Sequence, residues 1–318
     1  MMVQFLLERN AIEQDMRDSA WEGMAHMPAS PSLRRRRLAA ELRRLRDQSG
    51  LSVTEAAKRL DWQASRLSRI ETRQSGITAP DLRKLLNLYE VEDDGYRAYL
   101  AELARRVNER GWWQKYAGLI GTGYADLISL EAEARTIRTY QQELVPGLLQ
   151  LPEYTHAVVR NSRPTETTEQ IDRWVEIRME RQEILTRSDP PPPRFNVVVS
   201  EGALRRPVGG YDVMREQLEH LLRPRDRANV TVQVLPFDAG AHPAMVGPFT
   251  MMTFADPDDL GVVNVENATS ALFLEDSSEL RVYDEIWGML LASALSPDDS
   301  QAFLRSTSFG YRMKEGMR

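Results

Sequence analysis

Residues 51–71 read LSVTEAAKRLDWQASRLSRIE, a helix, a tight turn and a second helix. Ser52 followed three residues later by Glu55 is a capping-box pattern, so a helix is expected to start at Val53. Ala56, Ala57 and Leu60 give it a small apolar inner face against which another helix can cross closely. Asp61 stands where the chain must turn, and aspartate tolerates a left-handed backbone better than most non-glycine residues. The second helix is expected from about Gln63 to Glu71. Leu67 and Ile70, three apart, face inward, while Gln63, Ser65, Arg66, Ser68 and Arg69 face outward.

Working outward, Pro31 and Ser32 open a preceding helix that runs to about Gln48 and stops at Gly50. Leu38, Leu42 and Leu45 form its buried stripe, and Arg34 to Arg37, Arg43, Arg44 and Arg46 are expected mostly on its surface. Thr78 is placed to cap a fourth helix with Pro80 in its first turn, and Asp93 or Asp94 begins a fifth. The expectation is a compact all-α domain over residues 31–110.

The charge distribution matters more than the net of −6. Residues 31–84 hold 14 basic and 6 acidic side chains, a net of +8, and the remainder holds 27 and 41, a net of −14. A basic head on an acidic body points to a polyanion partner for the head. Outward donors on the second helix of a helix-turn-helix suit base edges, and arginines before it suit phosphates. Arg66 and Arg69 are the candidates to bond guanine O6 and N7, Gln63 to read adenine or grip a phosphate, and Ser65 and Ser68 to act as short, permissive contacts. Arg34, Arg35, Arg36, Arg37, Arg43 and Arg44 are the phosphate candidates. The competing reading of Arg66 and Arg69 is an ion pair with Glu71 or another nearby carboxylate. One such module offers few base contacts, so a homodimer on double-stranded DNA is expected, with the body as the place of contact.

The body reads as helices followed by a small mixed sheet, an α+β class overall. A helical connecting region is expected over 111–190, with helices near 127–138, 152–160 and 168–187. An α/β effector or partner-binding domain follows over 191–306. Strands are expected at 195–199 and 230–235, with a helix at 211–222 between them in a βαβ unit, then a meander of strands at 248–254, 262–266 and 271–274. A closing helix spans 280–295, Pro297 starts a last one, and residues 307–318 form a frayed tail. Residues 1–30 are expected to be weakly attached, either an amphipathic helix over about 3–21 or an upstream extension, with Met24 and Met27 as alternative starts.

Catalytic patterns are few. His26, His156, His220 and His242 are scattered, Gly118, Gly121 and Gly123 lack a following lysine, and there is no Gly-x-Ser-x-Gly. Asp256, Asp258 and Asp259 read as a solvated turn, and nothing in the spacing of Glu201, Glu266 and His242 requires them to converge. Trp112 and Trp113 either line a ligand pocket or form core. Arg205 and Arg206 beside PVGG either hold an anionic ligand or partner or form a surface turn. No enzyme, cofactor or metal is expected. No apolar run approaches a membrane span, and the absence of cysteine fits a reducing compartment, here the cytoplasm.

The head segment GLSVTEAAKRLDWQASRLSRIE resembles the Xre-type, phage-repressor-like helix-turn-helix family. It departs at Asp61, where glycine is usual, and at Thr72-Arg73, where arginine-glycine is common. RGWWQKYAGL, SLEAEARTIRTYQQELVPGLLQLPEY, RMERQEILTR, LRRPVGG, VQVLPFDAGAHPA and ALSPDDS extend the resemblance over residues 31–306. They are similar to actinobacterial, antitoxin-like Xre regulators with a long C-terminal domain of unassigned biochemistry. Departures are Ser200 before Glu201, and Asn264 and Asn267. The resemblance implies a transcriptional regulator whose C-terminal domain engages a small protein encoded by a neighbouring gene. The alternative is a one-component regulator whose C-terminal domain senses a small molecule.

Overall fold

The computed structural model describes residues 33–72, 75–107, 111–223, 228–255, 261–267 and 270–315. The expectations for residues 1–30 and for Asp256, Asp258 and Asp259 lie outside them. The chain divides into two compact units, Met1–Arg110 and Gly111–Arg318.

The described part of the first unit is all helical: α1 Leu33–Gln48, α2 Val53–Arg59, α3 Ala64–Glu71, α4 Ala79–Leu88 and α5 Asp94–Val107. Local chemistry sets each boundary. Gly50 leaves α1 with φ of 68°. At α2 the Ser52 hydroxyl accepts from the Glu55 amide at 3.2 Å, and the Glu55 carboxylate accepts from the Ser52 amide at 2.9 Å. Asp61 takes the left-handed turn at φ 58°, where a glycine would carry no Cβ penalty. Thr78 caps α4. Leu38, Leu42 and Leu45 of α1, Ala56 and Ala57 of α2, and Leu67 and Ile70 of α3 meet Leu82, Leu85 and Leu86 of α4 in one core.

The second unit is built on a six-stranded mixed sheet in the order β3-β2-β1-β4-β5-β6. Its elements are α6 Thr122–Glu133, β1 Thr136–Gln141, α7 Pro152–Ser162, α8 Thr168–Gln182, β2 Arg194–Ser200, α9 Glu201–Arg205, α10 Tyr211–Leu221, β3 Val230–Leu235, β4 Phe249–Thr253, β5 Val262–Glu266, β6 Ala271–Leu274, α11 Ser277–Ser293 and α12 Pro297–Glu315. β2 and β3 are parallel and joined through helices, as a βαβ unit requires, and β4, β5 and β6 form the expected antiparallel meander.

Two expectations fail here. The helix read over 127–138 ends at Glu133, and Thr136–Gln141 is a strand at the middle of the sheet, parallel to β2 and antiparallel to β4. Residues 111–190 are therefore not an all-helical connector, because they supply a central strand to the sheet completed by 191–306. Nor is 307–318 frayed over its described part. α12 continues to Glu315, Tyr311 is buried, and its hydroxyl donates to the Leu204 carbonyl at 3.2 Å.

α11 covers one sheet face, burying Leu280, Trp287 and Leu290 against Tyr140, Phe249, Met251 and Val263. α7 packs on α8, and α12 on α10 and β3. Arg181 of α8 is buried in a bidentate pair with Glu131 of α6, at 2.5 and 2.6 Å. Among the described residues no helix is long and apolar enough to cross a membrane.

Candidate nucleic-acid interface

α3 is seated from below and held at its end. Leu67, Ile70 and Glu71 are buried, and successive residues are about 100° apart around a helix. That geometry puts Ser65, Ser68, Arg69 and Thr72 on the outer side. Arg69 is exposed, and among the described residues its guanidinium has no hydrogen-bond or ion-pair partner. Gln63 is the N-cap residue, exposed, and its side chain makes no capping bond. Five donor-bearing side chains read from the sequence as outward thus sit on or beside one short helix, though not equivalently.

Arg66 is the exception. Its Nη2 lies 2.5 Å from Asp81 Oδ2 on α4, and its Cζ lies 4.3 Å from the Trp62 ring centroid. The carboxylate that engages it comes from a different helix, not from Glu71. Glu71 is taken by Arg46. Arg46 Nε donates to Oε1 at 2.8 Å and Nη2 donates to Oε2 at 3.0 Å, with side-chain exposures of 8% and 5%. Arg46 Nη1 also donates to the Leu51 carbonyl at 2.8 Å. The expectation that Arg46 lies on the surface of α1 is therefore corrected. It bolts α1 to the C-terminal end of α3 and to the start of the motif, and its hydrogen bonds to Glu71 raise its pKa further above the ordinary arginine value.

The α1 arginines also divide. Arg43 is exposed, and among the described residues its one charged contact is a long 3.8 Å approach to Asp47. Arg44 donates to Glu41 at 2.9 Å, to Gln48 at 3.1 Å and to the Tyr96 hydroxyl at 2.8 Å. Tyr96 donates in turn to Glu41 at 2.5 Å, and burial followed by that carboxylate pushes its pKa up to about 12. Arg35 and Arg37 are half-buried, and the side chains of Arg34 and Arg36 lie outside the described residues. Lys58, Arg59, Arg83 and Lys84 are further exposed cations of the head. The +8 segment charge was the sequence signal for them, but it could not single them out.

In the body, Trp112 and Trp113 pack edge to face at 6.0 Å between ring centroids, against the cluster of Ile120, Ile128, Val159, Ile171, Trp174 and Ile177. Both rings are half-buried at the edge of that cluster. Arg205 pairs with Glu201 at 2.5 Å and Arg206 pairs with Glu143, and both guanidinium groups remain more than half exposed. Glu201 accepts from the Phe237 amide, His242 lies against Tyr140, and Glu266 accepts from Asn264. The three have separate partners. Among the described residues no three His, Asp or Glu side chains are grouped to hold a metal ion.

A turn fixed by Asp61, a short second helix with a polar outer row and a basic flank define a helix-turn-helix protein. The family model of the helix-turn-helix domain matches residues 37–100. A second model, a domain of unknown function (DUF5753), matches residues 124–306, more than half of the chain, and the chain belongs to that family. No curated protein and no solved structure gives a significant match. The helix-turn-helix domain supports sequence-specific DNA binding and transcription regulation, and is consistent with a non-enzymatic transcription factor.

Proposed function

We propose that the chain is a cytoplasmic transcriptional regulator of the Xre type, antitoxin-like and of actinobacterial affinity. It reads an operator through α3 as a homodimer, and a small protein encoded by a neighbouring gene binds its C-terminal domain. The observation that carries the reading is the outer row of α3, with Ser65, Ser68 and an Arg69 that has no partner among the described residues, presented by a helix that the buried Arg46–Glu71 pair holds in place. Such a row makes directional contacts to base edges, and Arg69 has the donor geometry for guanine. Arg43 supplies a cation free to meet phosphate, while Arg44 must exchange Glu41 for one. Residues 31–110 are the DNA-binding head, and the acidic remainder of the chain repels DNA and so leaves contact to the head.

Enrichment of duplexes from a random pool by the full chain tests the DNA reading. The expected product is an inverted repeat with half-sites about one helical turn apart. Recovery of unenriched sequence would remove it. Co-expression with a small adjacent open reading frame tests the partner. Co-purification, and loss of that co-purification when residues 111–318 are replaced, support it, whereas a metabolite-dependent melting shift without any association favours ligand sensing.

A further inference from the structure

Arg66 is on the reading helix but not in its outer row. It lies about 100° around the helix from Ser65. Its guanidinium is held on two sides, over the Trp62 ring at 4.3 Å and against Asp81 Oδ2 at 2.5 Å. Asp81 is itself fixed. The same Oδ2 accepts the Thr78 hydroxyl at 2.8 Å, and the Asp81 amide donates to Thr78 Oγ1 at 3.4 Å. The Asp81 side chain is 14% exposed and that of Arg66 is 43% exposed, so the clamp comes from a rigid cap and grips a cation that solvent still reaches.

We propose that Asp81 is a specificity-determining positioning residue that holds Arg66 against Trp62 and keeps it off the DNA phosphates. The inference rests on the DNA-binding reading above. A loose guanidinium beside the reading row would choose among phosphates in any register. It would strengthen binding to all sequences, and most strongly in loose non-specific complexes, where side chains choose their phosphates freely. Pairing it within the protein leaves discrimination to Gln63, Ser65, Ser68 and Arg69. Trp62 contributes by stacking, which orients the planar group toward Asp81.

The test compares the full-length wild type, Asp81→Asn, Arg66→Ala and the double variant. Two probes serve, a random-sequence 30-base-pair duplex and the duplex that the wild type enriches from a random pool, each titrated over a salt series. Asparagine keeps an oxygen for Thr78, so the cap survives. Asp81→Asn is expected to steepen the salt slope on the random duplex by about 0.9 per head, the increment for one phosphate contact, and to narrow the gap between the two duplexes. Arg66→Ala alone leaves the slope at the wild-type value, and the double variant returns to that value. A slope for Arg66→Ala that is shallower than wild type by the same amount means that Arg66 already lies on DNA, and overturns the proposal. So does a steeper slope that persists in the double variant, since loss of the carboxylate alone then explains it, and so does an unchanged slope for Asp81→Asn. Should Asp81→Asn fail to fold, Asp81→Ala takes its place in the same comparison, since the amide of residue 81 still donates to Thr78 Oγ1 and keeps the cap. Failure of the wild type to bind either duplex is a different result, which removes the DNA reading itself.

Discussion

Replacing Arg69 with alanine isolates base reading from fold. Arg69 is exposed and has no side-chain partner among the described residues, and alanine is the better helix former, so stability should change by less than about 0.5 kcal/mol. A bidentate arginine on guanine is worth about 1–3 kcal/mol of discrimination. A homodimer carries it twice, which gives about 2–6 kcal/mol, or roughly 30-fold to 10⁴-fold in operator affinity at about 1.4 kcal/mol per decade. Fluorescence anisotropy on the enriched duplex and on a random duplex, with a thermal melt of each protein, measures all three quantities. The loss must fall on the enriched duplex, while the random duplex and the melting temperature stay near wild type. An equal loss on both duplexes would show that Arg69 grips phosphate, and a lowered melting temperature would show that it supports the fold. Either result refutes the assignment of the outer row.

Other perturbations reach different layers. Glu71→Ala removes the buried partner of Arg46 and leaves it only the half-exposed Asp47 carboxylate at 2.6 Å, and is expected to cost about 2–3 kcal/mol, below the ~3–5 kcal/mol of a fully uncompensated buried charge, in chemical denaturation followed on the head. Ser52→Ala removes the acceptor for the Glu55 amide and should cost about 1 kcal/mol by the same assay. Arg43→Ala should weaken binding to enriched and random duplexes alike and flatten the salt slope by about 0.9 per head, and a changed sequence preference would contradict its phosphate role. Burial lowers the pKa of His242 below 6.5, so the folded state holds the neutral ring and the unfolded chain takes up the proton more readily. That contribution to stability is complete above pH 6.5 and is lost as pH falls below it. Denaturation midpoints for wild type and His242→Gln at pH 7.5 and 5.5 should show a smaller acid loss in the variant.

The head was legible because its signals are local. A capping box at Ser52 and Glu55, a glycine at position 50, Thr78 before Pro80 and three leucines at helical spacing each act within one turn of chain. The features that are not legible in the sequence depend on partners far away along the chain. Arg46 sits in a run of arginines that looks uniform, and only the packed helices reveal that it faces Glu71, 25 residues on. Arg66 and Asp81 lie 15 residues apart on different helices, so spacing names a carboxylate nearby without choosing it. β1 is hidden in the sequence because four of the six residues of TIRTYQ are polar and it follows α6 without glycine or proline. Its pairing with β2 and β4 overrides a weak local pattern. Residues 308–315 look like a tail because Gly310 interrupts them, yet the buried Tyr311 holds the helix to the body. The composition gave the body's acidity but not which of its surfaces engages a partner.

In this reading α3 lies in a major groove with Arg69 on guanine. Dimethyl sulfate footprinting of the enriched duplex reads that groove directly, since guanine N7 is exposed there and adenine N3 in the minor groove. Guanine N7 is expected to be protected in two patches about one helical turn apart with the wild type, and one guanine in each patch loses protection with Arg69→Ala. Protection confined to adenine N3, or a guanine pattern identical in the two proteins, would contradict it.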